Sequence, residues 1–238
     1  MSLNPEISLL LASDTDPFLR LENGGTELYL IRHADALPGA DEVVQGGYDD
    51  QSLSELGRRQ SQALAERLRG IAIVAIYSSP TKRSRQTATY VGDALGLKVC
   101  IDENLREVGL RPNPHLLAQL EANERAIAVR AYLRDIEEVA LRIGIWSHIP
   151  GCESSIELRT RLTRVVDQIA SQHRGERVMI VTHAGAINAY IAAVLGLERD
   201  FFFPASNASI SVLRVKGQRH LLISLNDVAH LQRDSVDR

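Results

Sequence analysis

The sequence predicts an α/β fold with three layers (α/β/α), a mostly parallel central sheet and a small helical cap-like insertion. Three observations support this fold class. Four short apolar runs have the length and composition of buried strands. Segments with helical spacing separate these runs, and such alternation is typical of parallel sheets. The stretch Pro112–Ile149 is mostly polar and helical and contains no strand run, which indicates the insertion at about residues 109–150.

The predicted strands are short and rich in Val, Ile, Leu and Tyr. In chain order they are Leu28–Ile31, Ile71–Tyr77, Leu97–Ile101 and Val178–Val181. A late hairpin then joins Ile210–Val215 to Leu221–Leu225 through the turn Lys216-Gly217-Gln218. These segments account for the predicted central sheet.

The predicted helices have recognisable ends. Ser52-x-x-Glu55 has capping-box spacing, and Gly70 ends the helix that follows. One face of that helix is expected to carry Leu56, Ala63, Leu64 and Leu68. The other helices are Thr81–Leu95 closed by Gly96, Ser154–His173, and Ala184–Leu195 ended by Gly196. The apolar stripe of Ser154–His173 is expected to consist of Ile156, Leu162, Val165, Val166 and Ile169.

Composition and charge indicate an ordinary globular protein. Of 238 residues, 45% are hydrophobic and 24% are charged, a balance that argues against intrinsic disorder. The 27 Lys and Arg residues and the 30 Asp and Glu residues give a net charge of −3. This near-neutral charge argues against a nucleic-acid or anionic membrane surface, so we expect neither partner.

We expect one domain over residues 26–238 and an N-terminal extension over residues 1–25, which shows no sustained periodicity. The two cysteines, Cys100 and Cys152, are far apart and outside CxxC spacing, which excludes a zinc ribbon and a disulfide scaffold. This cysteine usage favours a reducing, cytoplasmic location. The early apolar run Ile7–Ala12 is too short for a membrane helix and lacks the flanks of a signal peptide.

Polar side chains follow three of the predicted strands. His33 comes after the first strand, Arg83 and Arg85 after the second, and His183 after the fourth. Because ligands of open α/β sheets bind beyond the carboxyl ends of the strands, we expect these groups to converge at one edge. Bidentate guanidinium donors suit a tetrahedral phosphate oxyanion, and the N–H groups at the helix start after Ala184 would add further anion-binding donors.

Each of these residues also has a structural interpretation. A single histidine at a strand end is more often a structural group with satisfied hydrogen bonds than a catalyst. An arginine-rich helix start such as Lys82–Arg85 is usually a solvated face. The occurrence of two histidines and several arginines at neighbouring strand ends favours a functional site over these separate explanations.

Six ordered segments carry a resemblance to a known family. They are Leu30–Ala36, Leu53–Gln60, Ser78–Ala88, Leu105–Glu107, Pro150–Ser154 and Val181–Gly185. Together they resemble the motif series of the histidine phosphatase superfamily, in its phosphoglycerate-mutase-like branch. The resemblance extends from residue 28 to about residue 210.

The resemblance implies a role for each residue at the sheet edge. His33 matches the nucleophile that becomes phosphohistidine, and the preceding Arg32 matches a phosphate-binding guanidinium. In the segment Arg83–Thr87, Arg83 matches the second phosphate ligand and Arg85 is the weaker alternative. His183 matches the histidine that stabilises the transferring phosphoryl group, and Glu107 matches the general acid.

The chemistry of these residue types agrees with the implied roles. A neutral imidazole is a competent nucleophile near neutral pH and splits hydrolysis into two easier steps. Two arginines and a histidine can stabilise the charge on the phosphoryl oxygens. The sequence contains no Asp/His cluster with metal-ligand spacing, so we expect neither a metal nor another cofactor.

Several other residues have two interpretations. Glu153 is either a pocket rim or a charge at a helix N-terminus, and Asn207 is either a family asparagine or a turn residue. Trp146 with His148 either borders the pocket or packs, and Cys100 is expected to fill the core. The remaining histidines, His115, His148, His173, His220 and His230, are expected to be surface or structural.

Departures from the family pattern disfavour mutase activity. Ala34-Asp35-Ala36 replaces the usual Gly-Glu-Thr or Gly-Glu-Ser, Cys152 replaces a glycine, and Val108–Arg111 replaces the Arg-His-Tyr-Gly stretch of cofactor-dependent mutases. We therefore expect a phosphatase that hydrolyses a small phosphorylated metabolite through a phosphohistidine on His33. The alternatives are a phosphoglycerate mutase and a non-catalytic phosphate-binding module. The sequence leaves the oligomeric state open, a homo-oligomer included.

Overall fold

A computed structural model describes residues 21, 24–36, 50–110, 121, 124, 136 and 138–231 of the chain. Most of the predicted extension over residues 1–25 lies outside the described residues, as do His115 and much of the predicted insertion. Of the insertion, residues 138–143 are helical, as expected, and Trp146–His148 form a 3₁₀ turn.

The sheet has six strands in the order β3-β2-β4-β1-β5-β6. The strands are β1 (Thr26–Arg32), β2 (Ile73–Ser78), β3 (Val99–Ile101), β4 (Arg177–Thr182), β5 (Ile210–Lys216) and β6 (Arg219–Asp227). The first four strands pair in parallel, and β5 and β6 add an antiparallel hairpin beside β1. The prediction of a mostly parallel sheet is confirmed. The sheet also places the ends of β2, β4 and β1 side by side.

Within the described ranges, four long helices accompany the strands. They are α1 (Glu55–Leu68), α2 (Lys82–Leu95), α3 (Ser155–Gln172) and α4 (Ala184–Leu195). Gly96 and Gly196 end α2 and α4 with left-handed backbone angles of φ 70° and 66°, a conformation that glycine adopts without a steric penalty. Ser154 caps α3 in a reciprocal capping box with Glu157, so the predicted start of α3 is confirmed.

The predicted start of α1 is wrong by two residues. Ser54, not Ser52, is the N-cap, because its hydroxyl accepts a hydrogen bond from the backbone N–H of Gly57 at 3.0 Å. An N-cap side chain must reach an N–H in the first helical turn, and Ser54 does so here. The apparent capping-box spacing of Ser52 and Glu55 is therefore coincidental.

The two faces of the sheet bury separate clusters of apolar side chains, which confirms the three layers. In β1, Leu28 and Leu30 face the cluster packed by α3 and α4. Tyr29 and Ile31 alternate with them and face the cluster packed by α1 and α2. This alternation follows from the two-residue period of a strand.

Three predicted core residues are exposed. The side chain of Ile156 is 78% exposed because it lies in the first turn of α3, on the face directed to solvent. Leu56 occupies the corresponding position in the first turn of α1 and is 48% exposed. Cys100 is exposed because β3 is a three-residue strand at the edge of the sheet. All three residues lie close to or within the elements that the periodicity predicts, but the periodicity does not show which residues at the ends and edges the neighbouring layer covers.

None of the helices within the described ranges combines the length and the apolar composition that a membrane crossing requires.

Candidate active site

Two histidines meet at the carboxyl edge of the sheet. His33 follows β1 and His183 follows β4, and the parallel pairing of these strands brings the imidazole centroids to 5.1 Å at an interplanar angle of 67°. His183 is fully buried and His33 is 8% exposed. The convergence expected from the sequence therefore exists, and it depends on β1 and β4 being direct neighbours.

The hydrogen bonds of His33 define which ring nitrogen is nucleophilic. Nδ1 lies 2.8 Å from the carbonyl oxygen of Ala34. A carbonyl only accepts, so Nδ1 carries the proton and the lone pair is on Nε2. Burial, together with the positive charges of Arg83 and Arg32, holds the pKa of His33 well below its ordinary value, although the Ala34 carbonyl opposes this. The imidazole is therefore neutral at pH 7.

Three hydrogen bonds hold the backbone around His33. Its N–H donates to the carbonyl of Thr182 at 2.9 Å, and its carbonyl accepts from the side-chain amide of Asn207 at 3.1 Å. The next N–H, that of Ala34, donates to the hydroxyl of Thr87 at 3.0 Å. Asn207 itself lies in a turn, which agrees with its interpretation as a turn residue, and its role as a site residue stays a prediction.

The two arginines of α2 point in different directions. Nε of Arg83 donates to Nε2 of His33 at 3.1 Å, and its Nη2 lies 3.3 Å from Nδ1 of His183. Arg85, two residues later on the helix, is exposed. The structure thus places Arg83 between the histidines and leaves Arg85 outside the site.

Arg32 adds a second positive charge near the histidines. Its Nη1 donates to the carbonyl of Ala205 at 2.5 Å, which anchors the guanidinium to the loop before β5. Its charge lowers the pKa of His33 and His183 and opposes the rise in the pKa of Glu107. The site is therefore strongly positive, as binding of a phosphate dianion requires.

Ser79 is a site residue that sequence reasoning missed. Its buried hydroxyl lies 2.8 Å from Nε2 of His183. A guanidinium has no acceptor, so Arg83 donates to Nδ1 of His183, and Nε2–H then donates to Ser79. Burial, followed by the charge of Arg83, holds the pKa of His183 well below its ordinary value. Ser79 follows β2 beside β4, and only this strand order could have indicated the contact.

The carboxylate of Glu107 lies against the N-terminus of α4. It accepts hydrogen bonds from the backbone N–H groups of Val108 at 2.9 Å, Gly185 at 3.1 Å and Ala186 at 2.9 Å. Burial raises the pKa of Glu107, and the N–H groups of Val108 and Gly185 and the charges of Arg32 and Arg83 oppose the rise. The raised pKa favours the protonated form that a general acid needs.

Gly185 is required where α4 meets this carboxylate. A Cβ at this position would lie 2.6 Å from Oε1 of Glu107 and 2.8 Å from Cγ2 of Val108. It would also lie 3.0 Å from Cζ2 of Trp146, which is buried and stacks edge-on against Phe201. Trp146 thus packs in the core, close to the start of α4.

Glu153 binds Arg161 and the backbone of Gly109, two residues after Glu107. Both carboxylate oxygens bind the guanidinium of Arg161, at 3.0 and 2.7 Å, and Oε2 also accepts from the backbone N–H of Gly109 at 3.0 Å. The described contacts of Glu153 are consistent with a structural role, and its place at the pocket rim stays a prediction. Nothing in the sequence singled out Arg161. Its guanidinium binds the carbonyl of Arg106, a residue 55 positions earlier in the chain.

The described histidines outside this pair lie away from the site. His148 is exposed, and His173 contacts Tyr77 and Glu176. His220 contacts Asp167, and His230 is buried near the chain end. These placements agree with the expected surface or structural roles. In the part of the chain that the structure describes, no group of three or more His, Cys, Asp or Glu residues is arranged to hold a metal ion.

This arrangement combines a neutral, buried imidazole, a cluster of positive charge and a carboxyl group with a raised pKa. Such a site can bind a phosphate ester, accept its phosphoryl group on nitrogen and protonate the departing oxygen. The N–H groups of Gly185 and Ala186 at the start of α4 bind Glu107, so the anion-binding donors expected after Ala184 are engaged by a carboxylate.

Comparisons with known proteins agree with this geometry. A family model described as "Histidine phosphatase superfamily (branch 1)" matches residues 28–228. A metal-independent phosphoserine phosphatase of Arabidopsis thaliana is 30% identical over 216 residues, which cover 90% of this chain and 86% of that protein. Phosphoglycerate mutase-like protein 4 of Arabidopsis thaliana is 31% identical over 210 residues, 87% of each chain.

A solved structure is also similar. The mycobacterial glucosyl-3-phosphoglycerate phosphatase superposes with a TM-score of 0.63 at 28% identity, over 85% of this chain and 99% of that chain.

Proposed function

The chain belongs to the histidine phosphatase superfamily, branch 1, and from this premise we propose that it hydrolyses a small phosphomonoester through a phosphohistidine on His33. One observation carries the proposal. Nε2 of a buried, neutral His33 holds the lone pair and lies beside Arg83, in edge contact with His183.

The first step transfers the phosphoryl group to the enzyme. The lone pair of His33 Nε2 attacks phosphorus, and an N–P bond forms while the ester P–O bond breaks. Arg32 and Arg83 stabilise the charge on the three phosphoryl oxygens. The negative charge of the bound phosphoryl group favours the protonated form of His183, whose Nδ1–H then adds a further donor. The leaving alkoxide takes a proton from Glu107, so an alcohol departs and a carboxylate remains.

The second step returns the enzyme to its starting form. Water attacks phosphorus and gives a proton to the Glu107 carboxylate, the N–P bond breaks, and the electron pair returns to Nε2. Inorganic phosphate leaves. Because the Nδ1–H of His33 stays bound to the Ala34 carbonyl, no proton transfer at His33 is needed in either step.

The names of the relatives support the substrate class. Phosphoserine phosphatase and glucosyl-3-phosphoglycerate phosphatase both act on small phosphate esters by name. Phosphoserine and phosphoglycerate derivatives are therefore the first compounds to assay.

A phosphoglycerate mutase is the second candidate, because a mutase-like relative matches 87% of this chain. It is disfavoured because Val108–Arg111 replaces the mutase stretch Arg-His-Tyr-Gly. A mutase would return phosphoryl groups to a second hydroxyl in place of releasing phosphate, which product analysis distinguishes.

Further expectations belong to this proposal. We expect a single domain over residues 26–238, a cytoplasmic location, and activity that needs neither a metal nor another cofactor. A phosphatase assay with and without chelator tests the last point, and sedimentation tests whether the protein is a homo-oligomer.

The proposal is tested by trapping the phosphoenzyme. Wild-type protein is mixed with ³²P-labelled phosphate esters, quenched in alkali and tested for acid-labile label. His33→Ala should carry no label and lose turnover. His173→Gln is the control, because His173 lies beside the start of β4, at the opposite edge of the sheet, and should label like wild type.

Label on the His33→Ala protein would exclude His33 as the nucleophile. Failure of the wild-type protein to hydrolyse p-nitrophenyl phosphate and every compound in the panel would favour a non-catalytic phosphate-binding module.

A further inference from the structure

We propose that Arg161 and Glu153 form a positioning pair that holds the backbone of the segment carrying Glu107. This segment, residues 104–109, is called the acid segment below. The inference rests on the proposed function, since it assigns the pair to the step in which Glu107 gives up its proton.

Arg161 uses all five N–H donors of its guanidinium. Nη1 donates to the carbonyls of Asn104 at 2.6 Å and Arg106 at 3.1 Å, and Nη2 donates to the carbonyl of Glu107 at 3.3 Å. The remaining donors, one on Nε and one on Nη2, form the fork to Glu153 at 3.0 and 2.7 Å. A guanidinium has five donors in a rigid plane, so this set of bonds fixes its position.

Glu153 completes the pair from the other side. Its Oε2 accepts from the N–H of Gly109 at 3.0 Å, and its own N–H donates to the carbonyl of Gly109 at 2.6 Å. Burial alone would raise the pKa of Glu153, but the hydrogen bonds from Arg161 and Gly109 and the charges of Arg161 and Arg106 hold it below its ordinary value. Glu153 is therefore a carboxylate. Its side chain is only 18% exposed, and that of Arg161 is only 14% exposed.

The acid segment depends on side chains for its position. Its backbone belongs to no strand, and its only regular structure is the end of the 3₁₀ turn Glu103–Leu105. Its carbonyls from residue 104 to 107 are nevertheless all bound: three by Arg161, and that of Leu105 by the hydroxyl of Thr182 at 2.7 Å. Arg161 thus binds three of the four carbonyls from residue 104 to residue 107.

This arrangement matters because the carboxylate of Glu107 must meet α4 and the leaving oxygen at the same time. A misplacement of about 1 Å can reduce the rate of such a step about 100-fold. Neither Arg161 nor Glu153 makes a hydrogen bond or ion pair to His33 or His183 among the described contacts. The charge of Arg161 helps to lower the pKa of His183, and a lysine at this position keeps that charge. The pair should therefore affect proton transfer from Glu107 more than phosphate binding.

The same helix offers a matched control two residues earlier. Nε of Arg159 donates to the buried Asp200 at 2.5 Å, and its Nη groups donate to the carbonyls of Leu197 at 2.8 Å and Glu198 at 3.1 Å. This is the same type of clamp, but it holds the loop after α4. Replacing either arginine by lysine removes the fork and keeps the charge.

The experiment compares Arg161→Lys, Arg159→Lys and wild type in single-turnover phosphoenzyme formation. Each protein is measured with p-nitrophenyl phosphate and with one alkyl phosphate. The alkyl phosphate is the phosphoserine or phosphoglycerate derivative that the wild type hydrolyses fastest. Arg161→Lys should slow the alkyl reaction about 10- to 100-fold and the p-nitrophenyl reaction less than about 3-fold, because p-nitrophenolate hardly needs a proton. Arg159→Lys should change the ratio of the two rates less than about 2-fold.

A second variant keeps the test valid if Arg161→Lys is poorly folded. Glu153→Gln preserves the shape of the side chain but cannot accept both bonds of the fork, and it should shift the same ratio in the same direction. The double variant should lose no more than the worse single variant, because the two residues act as a unit.

Equal losses on both substrates, or an equal change of the ratio in Arg159→Lys, would overturn the positioning role and leave the proposed function standing. If wild type forms no phosphoenzyme with any substrate, the proposed function fails, and the positioning role fails with it.

Discussion

Nε of Arg83 lies 3.1 Å from Nε2 of His33, and this Nε2 is the ring nitrogen that holds the lone pair. The same guanidinium reaches His183, so one side chain links the two imidazoles. A phosphoryl group bound to Nε2 of His33 would be within reach of this guanidinium, so we expect Arg83 to be the arginine of α2 that contacts the substrate.

Replacing Arg83 should therefore cost far more activity than replacing Arg85. Arg83→Ala removes a charge-assisted contact in a buried site, worth about 2–4 kcal/mol or roughly 30- to 1000-fold in kcat/KM. Arg85 is exposed, and Arg85→Ala should change kcat/KM by less than about 3-fold. Steady-state kinetics of both variants check this, and equal losses would mean that the helix presents a different face to the substrate.

Glu107→Gln should remove proton donation to the leaving oxygen. On an alkyl phosphate the burst rate should fall roughly 100- to 10,000-fold, with a clearly smaller fall on p-nitrophenyl phosphate. Burial raises the pKa of Glu107, and an acid must be protonated, so the wild-type burst rate on the alkyl ester should decline as pH rises through that pKa.

The variant should lack this decline. Measuring both proteins with the same ester cancels the ionisation of the substrate itself. A decline that survives in Glu107→Gln would assign the acid to another group.

Ser79→Ala should impair the orientation of His183. The change leaves the buried Nε2–H of His183 without its acceptor, which costs about 1–3 kcal/mol, or roughly 5- to 150-fold in kcat/KM if transition-state binding bears the cost. Ser78→Ala is the matched control, because that buried hydroxyl bonds the carbonyl of Ser79 at 2.9 Å and touches no histidine. The imidazole ¹⁵N shifts of His183 should change in the first variant only.

The Asp167–His220 pair predicts a pH-dependent part of the stability. The hydrogen bond to Asp167, opposed by burial, raises the pKa of His220. A group whose pKa is higher in the folded state adds stability that is fully present below its unfolded pKa and is lost as pH rises through the folded pKa.

His220→Gln should therefore lower the free energy of unfolding by about 0.5–1 kcal/mol at pH 5.5 and by less at pH 9. Urea unfolding of both proteins at the two pH values measures the difference. A loss that grows with pH would contradict the assignment of the pKa shift.

Features with a local cause could be read from the sequence. The capping box of Ser154, the left-handed glycines that end α2 and α4, and the alternation of strands and helices depend on residues within a few positions of each other. The placement of His33 and His183 also follows, because the carboxyl ends of parallel strands meet at one edge.

The sequence by itself determined the fold class, the limits of most elements and the set of residues that meet beyond β1, β2 and β4. Only the tertiary structure decided that Ser79 contacts His183, that Glu153 binds Arg161, and that Ile156 is exposed. These contacts join residues that are far apart in the chain. Ser79 and His183, for example, are separated by 104 positions. No periodicity or capping rule acts over such a separation, because their partners are set by which strands pair and which helix faces the layers cover.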